Sequence, residues 1–117
     1  MSHVTTVTVE FKDLEALEIA ARKLGASFRR EETVRFMDGN TVTGPSVKLA
    51  GWLYPVVLQG KKLHMDNYGG RWGKPAELDR LKQAYAIEVT KKQARKQGYR
   101  VRESRASDGT VKLALTK

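Results

Sequence analysis

The chain of 117 residues is long enough for one hydrophobic core but not for two, and a 40% apolar, 30% charged composition is that of an ordinary globular domain. The absence of cysteine excludes disulfides, thiolate metal sites and cysteine nucleophiles. A net charge of +9 lies wholly in the second half: residues 1–60 hold seven Lys/Arg and seven Asp/Glu, residues 61–117 hold fifteen and six. Such a one-sided excess draws anionic partners, namely nucleic acid, a nucleotide-like anion or an acidic protein surface, although a solvated face needs no partner. No apolar run reaches the length of a membrane span and no signal peptide opens the chain, so no membrane partner and a cytoplasmic address are expected.

In chain order, Val4 to Phe11 alternates Val7, Val9 and Phe11 against Thr6, Thr8 and Glu10, the pattern of a strand with one buried face. Asp13 caps a predicted helix with Leu14, Leu17, Ala21 and Leu24 at helical spacing, and Gly25 ends it. Ala26 to Phe36 reads as a strand. Asp38-Gly39-Asn40 supplies a hairpin turn, and Val42 to Ala50 returns as a third strand with a possible break at Gly44-Pro45. In the linking segment 51–65, Pro55 argues against a central strand, and Val56–Leu58 and Leu63–Met65 form a hairpin. Trp52 and Tyr54 read as core or edge cover, and as functional aromatics only secondarily.

The end of the chain repeats the grammar of its beginning. Ala21-Arg22-Lys23-Leu24-Gly25 is matched by Ala94-Arg95-Lys96-Gln97-Gly98, and each is followed by a strand, an Asp-Gly turn and Val-Lys-Leu-Ala. The fold predicted is α+β, a single domain over 1–117. Two strand–helix–strand–strand units, 3–50 and 63–117, are related by a pseudo-twofold axis, with one mostly antiparallel sheet and two helices on one face.

A long helix is predicted from Pro75, with Glu77 and Asp79 near its start and Lys91, Lys92, Arg95 and Lys96 near its end, as the helix dipole favours. Its apolar residues change face. Leu78, Leu81, Tyr85 and Val89 share one stripe, whereas Ile87, Thr90 and Ala94 align with Leu14, Leu17 and Ala21 and should pack on the sheet. Either the helix kinks, or the first stripe is covered by the Trp52–Leu58 segment or by a second subunit; Leu78, Leu81, Tyr85 and Val89 are therefore a candidate homodimer or adaptor interface.

Met1-Ser2-His3, Asp13-Leu14-Glu15-Ala16-Leu17, the stretch from Asp66 to Trp72-Gly73, Gln83-Ala84-Tyr85-Ala86 and Asp108-Gly109-Thr110-Val111 carry a resemblance. The chain resembles the uncharacterised family called hypothetical chloroplast open reading frame thirty-five, or domain of unknown function twelve fifty-seven, found in plastids, cyanobacteria, other bacteria and phages. The similarity spans nearly the whole chain, departing where family members tend to have Arg before the Tyr-Ala pair and this sequence has Ala84. It implies a compact single domain of intracellular or phage origin and carries no activity or catalytic residue.

Two groups of residues are candidates for binding. In the loop before the long helix, Gly69 and Gly70 would turn backbone N–H groups toward an anion, Arg71 and Lys74 would add charge, and Tyr68 or Trp72 would stack on a base. The same loop also reads as a tight surface turn whose Trp plugs the core, and it is not a Walker motif. The second group is Lys91, Lys92, Arg95, Lys96, Arg100, Arg102 and Arg105, with Arg100 and Arg102 on one strand face. No metal or cofactor site is predicted: His64 with Asp66, and the amino-terminal His3, are too few ligands. The function expected is a non-enzymatic binding module for nucleic acid. The alternatives are a nucleotide-like effector binder of the gyrase-inhibitor-like type and a protein-interaction adaptor.

Overall fold

The computed structural model describes residues 4–8 (backbone only), 11–66, 73–108 and 110–117. The elements run β1 (Val4–Thr8), α1 (Leu14–Lys23), β2 (Ser27–Arg35), β3 (Thr41–Lys48), β4 (Val56–Gln59), β5 (Lys62–Asp66), α2 (Pro75–Lys96), β6 (Arg100–Arg105) and β7 (Val111–Thr116). The fold is α+β, and every described strand pair is antiparallel.

The local signals act as their chemistry dictates. Asp13 caps α1, its Oδ1 accepting from the Ala16 N–H at 3.1 Å. Both helices then end in the same way. The Ala26 N–H reaches back to the Ala21 carbonyl at 2.9 Å, and the Tyr99 N–H to the Ala94 carbonyl at 3.0 Å, with Gly25 and Gly98 at φ 74° and 88°. This is the cap that a left-handed residue after the helix permits, and it explains why the Ala-Arg-Lys-x-Gly match matters. The Asp-Gly turns also recur: Asp38 Oδ1 accepts from Asn40 N–H and Asp108 Oδ1 from Thr110 N–H, both at 2.9 Å.

The tertiary arrangement departs from the single sheet predicted. Five strands form one sheet in the order β1-β5-β4-β3-β2, and β6 and β7 form a separate two-stranded ribbon. The strand–helix–strand–strand order occurs twice, but the two hairpins are not placed alike. β2–β3 joins the main sheet through β4, whereas among the described residues β6–β7 pairs only with itself. β6 carries Arg100, Arg102, Glu103 and Arg105 and has no buried residue, whereas β2 contributes Val34 to the core.

β3 is continuous through Gly44-Pro45, because the β2 register shifts between Arg29 and Glu32 and absorbs the missing proline N–H. Gly44 is required for a different reason: a Cβ there would lie 2.1 Å from the Leu58 carbonyl oxygen.

Both helices cover one sheet face. Leu17, Ala20 and Ala21 of α1 and Leu78 and Leu81 of α2 pack with Val47, Val56, Leu58, Leu63 and Met65. Trp52 completes this core, and its Nε1–H donates to the Lys74 carbonyl at 3.1 Å. The other face carries a smaller cluster of Val34, Phe36 and Val57, with Tyr54 edge-on to Phe36 at 5.9 Å.

The Trp52–Leu58 segment thus covers the first stripe of α2. Leu78 and Leu81 are 7% and 0% exposed, so these two residues offer no surface to a second copy, in contrast to the interface expected for them. The second half of α2 also differs from expectation. Ala94 is buried and Ile87 half-buried, but Thr90 is exposed and its hydroxyl donates to the Ala86 carbonyl. With β6–β7 detached from the main sheet, no sheet face extends under Thr90. No described helix is long and apolar enough to cross a membrane.

Candidate functional site

The basic residues of α2 divide into those already neutralised and those that are not. Lys91 is 7% exposed, with Nζ 2.6 Å from Glu103 Oε1 and 3.5 Å from Glu88 Oε1. Glu88 is itself buried and is also met by Lys23 of α1. Burial pulls the Lys91 ammonium down, but hydrogen bonding to Glu103 and the two carboxylate charges outweigh it and leave it above its usual range. The Lys91 hydrogen bond holds the Glu103 carboxyl below its ordinary 4.5. Lys91 is therefore a structural cation that ties β6 to α2, and the anion-binding role expected for it is corrected.

Lys92 is committed in a similar way. Its Nζ lies 2.8 Å from Asp13 Oδ2 and 3.6 Å from Glu15 Oε2, joining the end of α2 to the start of α1. The hydrogen bond from Lys92, then that from the Ala16 N–H, lowers the Asp13 carboxyl from 3.8, and the Asp13 bond raises Lys92. Glu88 stands three residues before Lys91, but Glu103 and Asp13 are brought to their lysines only by the fold, which the sequence does not display.

Arg95, Lys96, Arg100, Arg102 and Arg105 are exposed and make no ion pair among the described residues. In the ribbon, Arg100 faces Thr116, Arg102 faces Ala114 and Ser104 faces Lys112. Cross-strand partners share a face, so Arg100, Arg102 and Lys112 form one outward basic surface, as the alternation predicted. Lys74 is exposed at the start of α2, with its carbonyl occupied by Trp52. Tyr68, Gly69, Gly70, Arg71 and Trp72 lie outside the described residues.

A cleft of about 770 Å³ lies between the β1–α1 junction and α2. Sequence reasoning did not find it as a site. It is lined by the buried Phe11, the half-buried Tyr85 and Val89 and the exposed Ala86, and its lysines are Lys12, Lys82, Lys92 and Lys96. Tyr85 is held in place: its hydroxyl accepts from the Asp13 N–H at 3.0 Å, and its ring meets Phe11 edge-on at 4.8 Å. Tyr85 and Val89 of the expected interface are thus cleft-lining residues. The signal that could have found the cleft is the spacing of Lys82, Tyr85, Val89 and Lys96, which repeats on one helical face and places lysines at both ends of an apolar stripe.

Among the described residues Asp13 is the one acidic residue that lines the cleft, and Lys92 already compensates it. Lys12, Lys82 and Lys96 have no carboxylate partner among the described residues, so their charge is available to a ligand. Among the described residues, no group of three or more His, Asp or Glu side chains converges to hold a metal ion. These features define an α+β domain with a cationic cleft and a cationic ribbon. No protein-family model, no curated protein and no solved structure matches the chain.

Proposed function

We propose that this chain is a non-enzymatic binding module for nucleic acid, engaged through the basic surface of α2 and the β6–β7 ribbon. One observation carries the reading. Lys82, Arg95, Lys96, Arg100, Arg102 and Lys112 are exposed without counter-charges among the described residues, whereas Lys91 and Lys92 of the same region are consumed internally. Uncompensated Lys and Arg on adjoining elements release counterions when they meet phosphates, which gives affinity without reading sequence. Titration of labelled DNA and RNA at low and moderate salt tests this, the logarithm of affinity falling linearly with the logarithm of salt. Absence of binding at low salt ends the reading.

A second reading is a binder of a small nucleotide-like anion. It is favoured by the cleft, whose volume of about 770 Å³ falls in the range of small-molecule sites. A thermal shift by one nucleotide, with little salt dependence, would support it over the first.

A further inference from the structure

We infer that the cleft between the β1–α1 junction and α2 receives an unstacked nucleotide of a single strand, with its base against Tyr85 and successive phosphates of the strand met by Lys12, Lys82 and Lys96. This inference rests on the nucleic-acid reading and names the form of nucleic acid that the domain prefers.

The floor and the rim of the cleft ask for different parts of one ligand. Phe11, Tyr85 and Val89 make an apolar, partly aromatic floor, which suits the face of a base. Tyr85 is already immobilised by its bond to the Asp13 N–H and its contact with Phe11, so stacking on it costs little further ordering. Gln93 also lines the cleft and is exposed, offering an amide donor and acceptor that serve any base edge. The lysines without carboxylate partners stand around this floor.

The span of the rim selects a polymer over a free nucleotide. Lys82 and Lys96 are fourteen residues apart on one helix. At 1.5 Å per residue their α-carbons are about 21 Å apart, too far for one nucleotide's phosphates to satisfy both ends. Successive phosphates of a strand can do so. A duplex meets the rim less well, since a paired base reaches the floor only by flipping out, which gives up its pairing and stacking.

The test uses fluorescence anisotropy with a labelled pyrimidine 12-mer, the same strand in duplex with its complement, and a free mononucleotide as competitor. The single strand should bind about tenfold or more tighter than the duplex, as the flipping cost requires. Ala86→Glu puts a carboxylate on an exposed helical position in the cleft and should weaken single-strand binding about tenfold. Tyr85→Leu should weaken it by a similar factor, the scale of one lost base–aromatic contact. Arg35→Gln, on the sheet edge opposite β1, makes the same change in net charge and should stay within about twofold. Unfolding midpoints show which variants are folded, and Ala86→Glu carries the test if Tyr85→Leu is not.

Equal affinity for single strand and duplex would overturn the inference, as would unchanged single-strand affinity in folded Ala86→Glu. A mononucleotide that displaces the strand at the strand's own affinity would also overturn it. If duplex and single strand bind equally and Arg100 and Arg102 carry the affinity, the cleft inference falls while nucleic-acid binding stands. If neither binds at low salt, both fall together.

Discussion

Replacing Lys91 by Met separates structural charge from binding charge. The substitution keeps the buried stem and removes an ammonium that sits 2.6 Å from Glu103 and 3.5 Å from Glu88. Removing one partner of a fully buried pair costs about 3–5 kcal/mol. Two features reduce that figure here: Glu88 keeps its contact with Lys23, and Glu103 is 33% exposed and can hydrate. The expected loss is therefore about 1–3 kcal/mol, the size of hydrogen bonds to charged groups. For a chain of this length that lowers Tm by roughly 4–15 °C. Denaturant unfolding followed by circular dichroism reads the loss. In parallel, the slope of log affinity for single-stranded DNA against log salt is measured well below Tm. Lys91→Met should leave that slope unchanged, because the buried Lys91 ammonium is held by Glu103 and Glu88 and meets no phosphate, whereas Lys96→Met should reduce it by about 0.7. Full stability together with a reduced slope in Lys91→Met would refute the assignment of Lys91 as a structural cation.

Three further outcomes follow from the packing. Gly44→Ala should destabilise the sheet by about 1–3 kcal/mol or more, since its Cβ would meet the Leu58 carbonyl at 2.1 Å; an unchanged urea midpoint would contradict so close an approach of β3 to β4. Tyr85→Phe should cost about 1 kcal/mol by leaving the Asp13 N–H without its acceptor, while keeping the ring and hence single-strand affinity. Stability should also fall in acid. Asp13, Glu103 and Asp108 are all lowered in the folded chain, so the unfolded chain binds protons first, and the stabilisation is present above their ordinary 3.8–4.5 and lost as pH falls below that range through the lower folded values. Lys92 supplies the largest part of the Asp13 shift, so the acid limb of the urea midpoint should be shallower in Lys92→Met.

Local chemistry was legible in the sequence because each signal acts within a few residues. Asp13 caps α1, both helices end on a glycine, and the two Asp-Gly turns repeat the same hydrogen bond from two residues on. The exposed Arg100 and Arg102 face also followed from alternation alone. Charge bookkeeping along the chain was less informative. Lys91, Lys92, Arg95 and Lys96 look equivalent on paper, and only the placement of Glu103, Glu88 and Asp13 makes two of them structural.

The sequence by itself determined the class of the domain, its helix ends, its turns and the side on which its positive charge lies. These depend on near neighbours and on periodicity, which a linear chain displays. Tertiary structure alone decided that β4 enters the main sheet while β6–β7 stays apart, that Trp52 covers Leu78 and Leu81, and that Phe11 and Lys12 meet α2 to form a cleft. Such contacts join residues far apart in sequence, and their partners are selected by competition for burial that no single segment encodes.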